Sequence, residues 1–158
     1  MRLPGVLTIA AIGRLRTPHW SSAQEEYLGR LRRYVEVALI EIQDVAGRNL
    51  PTDVALRREG QKLLTATKAS RWRIALDPAG REMDSLVFAR HLDRLIQAHG
   101  KIAFLIGGPF GLSPDVLEVC DERLSLSRLT FPHELARVTL LEQLYRAVTI
   151  LSGEPYHK

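Results

Sequence analysis

The stretch KIAFLIGGPFGL, Lys101–Leu112, has the residue types and spacing best suited to binding a ligand. Five apolar residues, Ile102–Ile106, run uninterrupted and stop at GGPFG (107–111), which predicts a buried strand with a sharp turn at its carboxyl end. Ligands bind at the carboxyl ends of strands in open α/β sheets, and glycine lets the backbone approach them closely. The stretch therefore predicts a ligand site; a purely structural turn is the alternative that local sequence leaves open.

Alternating strand and helix patterns predict the elements that position this turn. The predicted strands are Val6–Ile12, Val37–Val45, Trp72–Leu76, Ile102–Ile106 and a short strand running into a loop over Leu124–Phe131. The predicted helices are Ser22–Tyr34, Thr52–Thr67, Asp84 or Ser85 to Gly100, Pro114–Asp121 and His133–Leu151. This alternation predicts an α/β fold with a mostly parallel sheet of five or six strands, in a single domain over residues 1–158.

Local signals set the predicted boundaries. A capping box, SAQE from Ser22, predicts the start of the first helix, and Ser113 followed by Pro114 predicts another helix start. The sequence DPAG (77–80) has type I turn chemistry and predicts the end of the third strand. The last helix is so broadly apolar that it needs two partners, which we expect to be the sheet and a second copy of the chain.

Composition limits the class of protein. The 158 residues are 46% hydrophobic and 25% charged, which is typical of a soluble globular domain. No apolar run is long enough to span a bilayer, and the N-terminus reads as a first strand and not as a signal peptide. Cys120 is the only cysteine, so no intrachain disulfide forms and a reducing cytoplasm is expected.

Several familiar sites are missing from the sequence. It contains neither the G-x-G-x-x-G dinucleotide fingerprint nor a G-x-x-x-x-G-K-[ST] phosphate loop, which argues against Rossmann dehydrogenases, Rossmann methyltransferases and P-loop NTPases. The five histidines show no ligand spacing with cysteine or acidic residues, so no metal site is expected. They are His19, His91, His99, His133 and His157.

The charge pattern suggests nucleic acid. The net charge is +4, and 18 of the 22 basic residues are arginine, whose planar fork suits phosphate. A GC-rich genome would also favour arginine, and the sequence does not separate the two causes. The loop Ala46–Pro51 and the helix start at Thr52 either touch a phosphate backbone or form a solvated flap.

Three motifs, taken together, resemble the SPOUT-class ribosomal RNA large subunit methyltransferase H family. They are LIGGPFGLSP (105–114), LSLSRLTFPHELARV (124–138), and LLEQLYRA (140–147) with the terminal PYHK. The first strand with Gly13 and the turn LDPAGR (76–81) match as well, so the resemblance covers essentially the whole chain.

The resemblance implies a SPOUT fold with a C-terminal trefoil knot, a topology that pattern reasoning would not find. It implies a homodimer that transfers a methyl group from S-adenosylmethionine to N3 of a pseudouridine in large-subunit (23S) ribosomal RNA. The family acts on the assembled 70S ribosome because it carries no separate RNA-binding domain, and none is evident in this sequence.

The resemblance also implies site residues. The expected cofactor contacts are Leu76, Gly107, Leu126, Ser127, Arg128, Leu129, Thr130 and Phe131. Apolar walls and free backbone groups at these positions suit an adenine in a cleft. Pattern alone makes 126–131 an ordinary edge strand, which is the alternative.

The substrate side involves the C-terminal tail and several arginines. N3–H is weakly acidic, so a general base helps without being obligatory, and the candidates are Tyr156, His157 and, less favoured, His133, whose alternative role is at a helix terminus. Tyr156 is also suited to stacking on the base, and His157 to binding phosphate. The candidate RNA contacts are Arg14, Arg81, Arg128 and Arg137, with simple solvation as the alternative for the first three.

Two other functions compete. One is a non-catalytic ribosome-binding assembly factor whose cofactor pocket is vestigial. The other is a SPOUT methyltransferase that acts on transfer RNA, although such enzymes usually carry an extra domain or a different C-terminal loop.

Overall fold

The computed structural model describes residues 2–45 and 49–158. Its strands are β1 (Val6–Ile12), β2 (Glu36–Ile42), β3 (Trp72–Arg81), β4 (Lys101–Ile106) and β5 (Glu122–Leu124). Its helices are α1 (Pro18–Leu31), α2 (Thr52–Ala66), α3 (Ser85–His99), α4 (Pro114–Val119) and α5 (His133–Leu151). The predicted basic loop falls partly on residues 46–48, which lie outside the described residues.

The strands form one five-stranded sheet in the order β2-β1-β4-β3-β5, with all neighbours parallel. In the interior strand β1, Ile9 lies opposite Leu39 of β2 on one side and Phe104 of β4 on the other. The predicted α/β class and parallel sheet are confirmed. The trefoil knot stays a prediction.

The strand side chains alternate between two cores, one on each face of the sheet. Leu7, Ile9 and Phe104 belong to a core covered by α1, α3 and α5. Ala10 and Leu105 belong to a smaller core that holds side chains of α2 and α4. Because β1 and β4 are buried on both faces over most of their length, their sequences are almost wholly apolar, as those of parallel strands usually are.

The first helix begins earlier than predicted. It starts at Pro18, with Thr17 as the cap residue, and the Thr17 carbonyl accepts hydrogen bonds from the backbone N–H of Trp20 and Ser21. Proline is favoured in the first turn because its fixed φ suits the helix and its missing N–H is not needed there. The predicted cap at Ser22 is therefore wrong.

The third strand is longer than predicted. The segment 77–80 does not end it, because β3 continues to Arg81 with a register shift against β5 between Leu76 and Arg81. The Asp77 side chain accepts a hydrogen bond from the N–H of Ala79 at 3.0 Å, so the turn chemistry produces an irregularity inside the strand.

A short strand running into a loop was predicted over Leu124–Phe131, and the structure has this order, but the strand β5 lies earlier and ends at Leu124. Beyond it, the Ser127 hydroxyl accepts a hydrogen bond from the N–H of Leu129 at 3.0 Å. Such local bonds give the backbone an alternative to strand pairing, so residues 125–131 form a loop.

Helix α5 is covered differently from the expectation. It lies between α1 and α3 of its own chain, and its buried Leu140, Leu141 and Leu144 share a core with the strands. Two neighbouring helices thus supply much of the cover that was expected from a second copy. The second copy stays a prediction.

We predict that Gly80→Ala lowers the free energy of unfolding by about 2 kcal/mol, a typical cost of overpacking. A Cβ at Gly80 would lie 2.6 Å from the carbonyl carbon and oxygen of Arg123, so β3 and β5 would have to separate. Urea unfolding measures the effect. Gly29→Ala is the control, since a Cβ there meets nothing within 4 Å; equal stability of the two variants would contradict the prediction.

Candidate active site

A pocket of about 250 Å³ opens at the carboxyl ends of β3 and β4, and we call it the strand-end pocket. Three separate segments line it: the end of β3 at Leu76, the glycine turn after β4, and the loop after β5. Of the predicted cofactor residues, those that line it are Leu76, Gly107, Leu126, Ser127, Leu129, Thr130 and Phe131. Segments that are distant in sequence therefore meet where the sequence analysis placed the ligand.

Arg128 is the exception among the predicted cofactor residues. It does not line the strand-end pocket, and its side chain is 87% exposed, with Nε 3.4 Å from a carboxylate oxygen of Glu82. Its side chain is therefore placed at the surface, while its neighbours Ser127 and Leu129 line the pocket. A cofactor contact through the backbone of Arg128 stays a prediction.

Sequence reasoning did not name every lining residue. Backbone and side chains from the same segments complete the wall, and helix α5 adds its first turn. The residues not predicted as cofactor contacts are Asp77, Pro78, Ile106, Gly108, Pro109, Gly111, His133 and Ala136. The residues next to Leu76 and Gly107 in sequence could have been inferred as lining residues from those two positions. No sequence pattern marks Ala136 as a lining residue.

The glycine turn is closed on itself. The N–H of Gly111 donates to the carbonyl of Gly108 at 3.0 Å, and Gly111 has φ +79°, a conformation that favours glycine. A Cβ at Gly107 would lie 2.4 Å from the carbonyl carbon and oxygen of Gly111. The turn is thus both structural and part of the pocket wall, so the two alternatives are compatible.

Two exposed apolar side chains flank the pocket. Phe110 at the tip of the glycine turn is 60% exposed, and Leu129 in the loop after β5 is 75% exposed. The loop itself is anchored at its start, where the N–H of Ser125 donates to the carbonyl of Arg81 at 2.9 Å.

Arg137 was predicted to contact RNA, but the structure buries it. It is 1% exposed, and its guanidinium donates to the carbonyls of Ile12 and Gly13 at 3.1 and 2.8 Å. It also donates to the carboxylate of Glu41 at 2.7 Å and to Gln24 at 3.4 Å. Burial lowers the pKa of Arg137 and Glu41 opposes that shift. The prediction that Arg137 contacts RNA is therefore wrong. Its side chain instead joins α5 to the ends of β1 and β2.

A second set of hydrogen bonds holds the first turn of α5. Glu134 accepts hydrogen bonds from the backbone N–H and the hydroxyl of Thr17, each at 3.2 Å. His133 and Ala136 line the strand-end pocket from this same turn. The hydrogen bonds of Arg137 and Glu134 hold this part of α5 and therefore position both lining residues.

The other arginines lie at the surface. Arg14 follows β1, Arg81 ends β3, and Arg128 lies in the loop after β5, and all three are exposed. None of the three lines the strand-end pocket. Arg14 lines a depression beside Glu41, and Arg81 lines one beside His91 and Glu122. Their contact with RNA phosphates stays a prediction.

The C-terminal tail does not reach the strand-end pocket of its own chain. The Tyr156 hydroxyl donates to Glu142 at 3.0 Å, and Arg146 lies 3.1 Å from Nδ1 of His157. Both contacts are on the second half of α5. With a rise of 1.5 Å per residue, Arg146 lies about 20 Å along the helix from His133, which lines the pocket.

The tail tyrosine is not a base at neutral pH. Burial and the hydrogen bond to Glu142 raise the pKa of Tyr156 to about 12, so its hydroxyl stays protonated. Burial likewise raises the pKa of Cys120 to about 11, which leaves its thiol unreactive.

Other features of the described chain do not form a competing site. A wider groove of about 790 Å³ runs along α1, but it is an open surface between charged side chains such as Glu25 and Arg33. In residues 2–45 and 49–158, no group of three His, Cys, Asp or Glu side chains is arranged to hold a metal ion. No helix in the same two ranges is long and apolar enough to cross a membrane.

The chain matches the family described as "Predicted SPOUT methyltransferase" over residues 6–157. The match spans the sheet, the strand-end pocket and most of the tail. The fold and the site therefore define a protein of the SPOUT methyltransferase class.

Curated relatives give the particular family. Ribosomal RNA large subunit methyltransferase H of Rubrobacter xylanophilus is 49% identical, with 95% of this chain and 96% of the relative covered. The protein of the same name from Gemmatimonas aurantiaca is 43% identical, with 96% and 99% covered. The chain belongs to the ribosomal RNA large subunit methyltransferase H family, and the family predicted from the three motifs is confirmed.

A solved structure supports the fold. That of a probable methylase family protein from Haemophilus influenzae aligns with a TM-score of 0.58 at 14% identity. The alignment covers 96% of this chain and 70% of that one. At this identity the likeness concerns the fold alone.

We predict that Gly107→Val abolishes binding of S-adenosylmethionine, because the added carbons collide with the Gly111 carbonyl and open the turn. Calorimetry measures the affinity, and sedimentation checks that the oligomeric state is unchanged. Gly29→Val is the matched control, with open space at its Cβ. Ordinary affinity in the Gly107 variant would refute the placement of the cofactor.

We predict that Arg137→Met lowers the free energy of unfolding by about 2–4 kcal/mol, because it leaves two backbone carbonyls without their donor and the partly exposed Glu41 carboxylate without its ion pair. Urea unfolding tests this. The control is Arg30→Met, which removes an exposed pair with Glu26 and should change stability little. A similarly small effect in both variants would contradict the prediction.

Proposed function

We propose that this protein is an S-adenosylmethionine-dependent methyltransferase that modifies N3 of a pseudouridine in 23S ribosomal RNA. The observation that carries the proposal is the convergence of Leu76, Gly107 and the loop 126–131 on one pocket at the carboxyl edge of a parallel sheet. The family supplies the reaction class, and the resemblance supplies the substrate.

The strand-end pocket has the chemistry that the methyl donor requires. Leu76, Leu126 and Phe131 offer apolar walls for an adenine, while Ser127 and Thr130 offer hydroxyls. At Gly107 the absence of a side chain leaves backbone exposed to a ligand, and a Cβ there has no room. These residues would hold S-adenosylmethionine by packing and by backbone hydrogen bonds.

When bound, S-adenosylmethionine supplies an electrophilic methyl carbon, and the methyl–sulfur electron pair stays on sulfur as N3 bonds to that carbon. The role of the protein is to hold N3 in line with the methyl group, and such positioning contributes several kcal/mol. The exposed Leu129 and Phe110 are placed to close the pocket mouth against a bound partner.

The RNA side is the edge that carries Arg14, Arg81 and Arg128. These exposed guanidinium groups come from three different strand ends, so together they offer phosphate contacts around the pocket mouth. A substrate presented by the assembled 70S ribosome in the cytoplasm fits a compact domain, because the ribosome already holds the RNA in position.

The proposed assembly is a homodimer. Tyr156 is held at Glu142 and His157 at Arg146, about 14 and 20 Å along α5 from His133, which lines the strand-end pocket. If the tail acts on the target base, it must therefore act at the pocket of a second copy. Two copies arranged in this way would each complete the site of the other.

The competing functions give different outcomes in one assay. Purified protein is incubated with methyl-labelled cofactor and either 70S ribosomes from a methylation-deficient strain or bulk transfer RNA, and nucleosides are then analysed by mass. We expect label in N3-methylpseudouridine from ribosomes. Label in transfer RNA, or none at all with normal ribosome binding, would favour the transfer RNA enzyme or the assembly factor.

We predict that deleting Tyr156–Lys158 leaves the affinity for S-adenosylmethionine near normal but removes methylation of ribosomes. The strand-end pocket contains no tail residue of its own chain, which is the reason for the separation. Calorimetry and the ribosome assay measure the two effects, with Lys158→Ala as control. Full activity of the truncated protein would exclude a role for the tail.

A further inference from the structure

The contact between Arg146 and His157 determines which ring nitrogen of the histidine carries hydrogen. Nη1 of Arg146 lies 3.1 Å from Nδ1 of His157. A guanidinium only donates hydrogen bonds and is not deprotonated in proteins. Nδ1 must therefore be the acceptor, with a free lone pair, and the neutral ring carries its hydrogen on Nε2.

Arg146 is itself held in place, so this contact is not that of a free surface side chain. Its Nε and Nη2 donate to the carboxylate of Glu142 at 3.1 and 2.6 Å. Its guanidinium carbon lies 4.8 Å from the centre of the Tyr156 ring, and the Tyr156 hydroxyl donates to the same carboxylate. Helix and tail thus form one interlocked cluster around His157.

We propose that Arg146 fixes His157 as the Nε2–H tautomer, so that His157 serves as a hydrogen-bond donor to a carbonyl oxygen of the target base and not as its general base. The proposal rests on the proposed function, because it assigns a role at the methylation site. His157 is then the substrate-contacting residue and Arg146 a positioning residue. For Nε2, the hydrogen bonds of the described chain include no partner, which leaves it available to substrate.

The chemistry of the target supports a donor. When N3 of a uracil-type ring loses its proton, negative charge spreads to the two flanking carbonyl oxygens. An N–H aimed at one of them stabilises that charge, which lowers the pKa of N3–H and raises the fraction of the ring present as the nucleophilic anion. The N3 proton passes to water, and the electron pair left on N3 forms the bond to the methyl carbon.

The groups around His157 do not provide another base. From α5 they are Arg146, a permanent cation, and Glu142, whose carboxylate is occupied by Arg146 and Tyr156. From the tail the neighbour is Tyr156, which stays protonated at neutral pH.

The first experiment reads the tautomer directly in the full-length protein without substrate. Histidine is labelled with ¹⁵N, long-range ¹H–¹⁵N correlation spectra are recorded, and His157 is assigned by comparison with His157→Gln. We expect the Nε2–H tautomer in the wild type and in Arg146→Lys, which keeps a donor. In Arg146→Met we expect a mixture of tautomers. An Nδ1–H form or an even mixture in the wild type would overturn the proposal.

The second experiment tests the donor role with two isosteres in the ribosome assay. The amide nitrogen of Gln reaches the position of Nε2 and donates without acting as a base, whereas that of Asn corresponds to Nδ1. We expect His157→Gln to keep methylation within about tenfold of wild type with an unchanged pH profile, and His157→Asn to lose far more. General-base catalysis is typically worth about 10²–10⁴-fold.

The two readouts separate the ways in which the inference can fail. A loss of more than a hundredfold in His157→Gln, together with disappearance of the acidic inflection of the pH profile, would show a general base and overturn the donor role. If the wild type itself methylates no ribosomes, the proposed function fails and the donor role with it. The spectra still decide whether Arg146 fixes the tautomer.

Discussion

The buried guanidinium of Arg137 is the contact on which the site depends. One side chain joins the last helix to the ends of β1 and β2, and it does so with a full charge removed from water. A buried charge is tolerated only when it is paired and hydrogen-bonded, so the geometry around it is demanding. His133 lies one helical turn before Arg137 and lines the strand-end pocket. The contacts that fix Arg137 therefore also position this side of the pocket.

Helix α5 connects two chemical centres that a single chain keeps apart. Its first turn lines the strand-end pocket, and its second half holds the tail through Glu142 and Arg146. A helix packed between α1 and α3 is a rigid spacer, so the tail does not reach its own pocket by bending. This rigidity is the physical reason why the homodimer that we propose would have to bring the tail of one copy to the pocket of the other.

Much of the fold was predictable because its signals are local. The apolar runs placed β1 and β4, Asp84 and Ser113 were correctly identified as caps, and α5 was predicted with its observed bounds. The errors arose where two local signals competed. At Thr17 a cap followed by proline preceded the capping box, and at 77–80 turn chemistry became an irregularity within a continuing strand.

The sequence by itself determined the parallel α/β class, the sharp glycine turn after β4 and, through its three motifs, the family. These depend on residue periodicity, backbone freedom and short-range order. Only the tertiary structure decided that Arg137 is internal, that Arg128 faces away from the pocket, and that the tail lies along α5. Each depends on which distant residues become neighbours: Arg137 meets Gly13 across 124 positions, and no local pattern encodes that pairing.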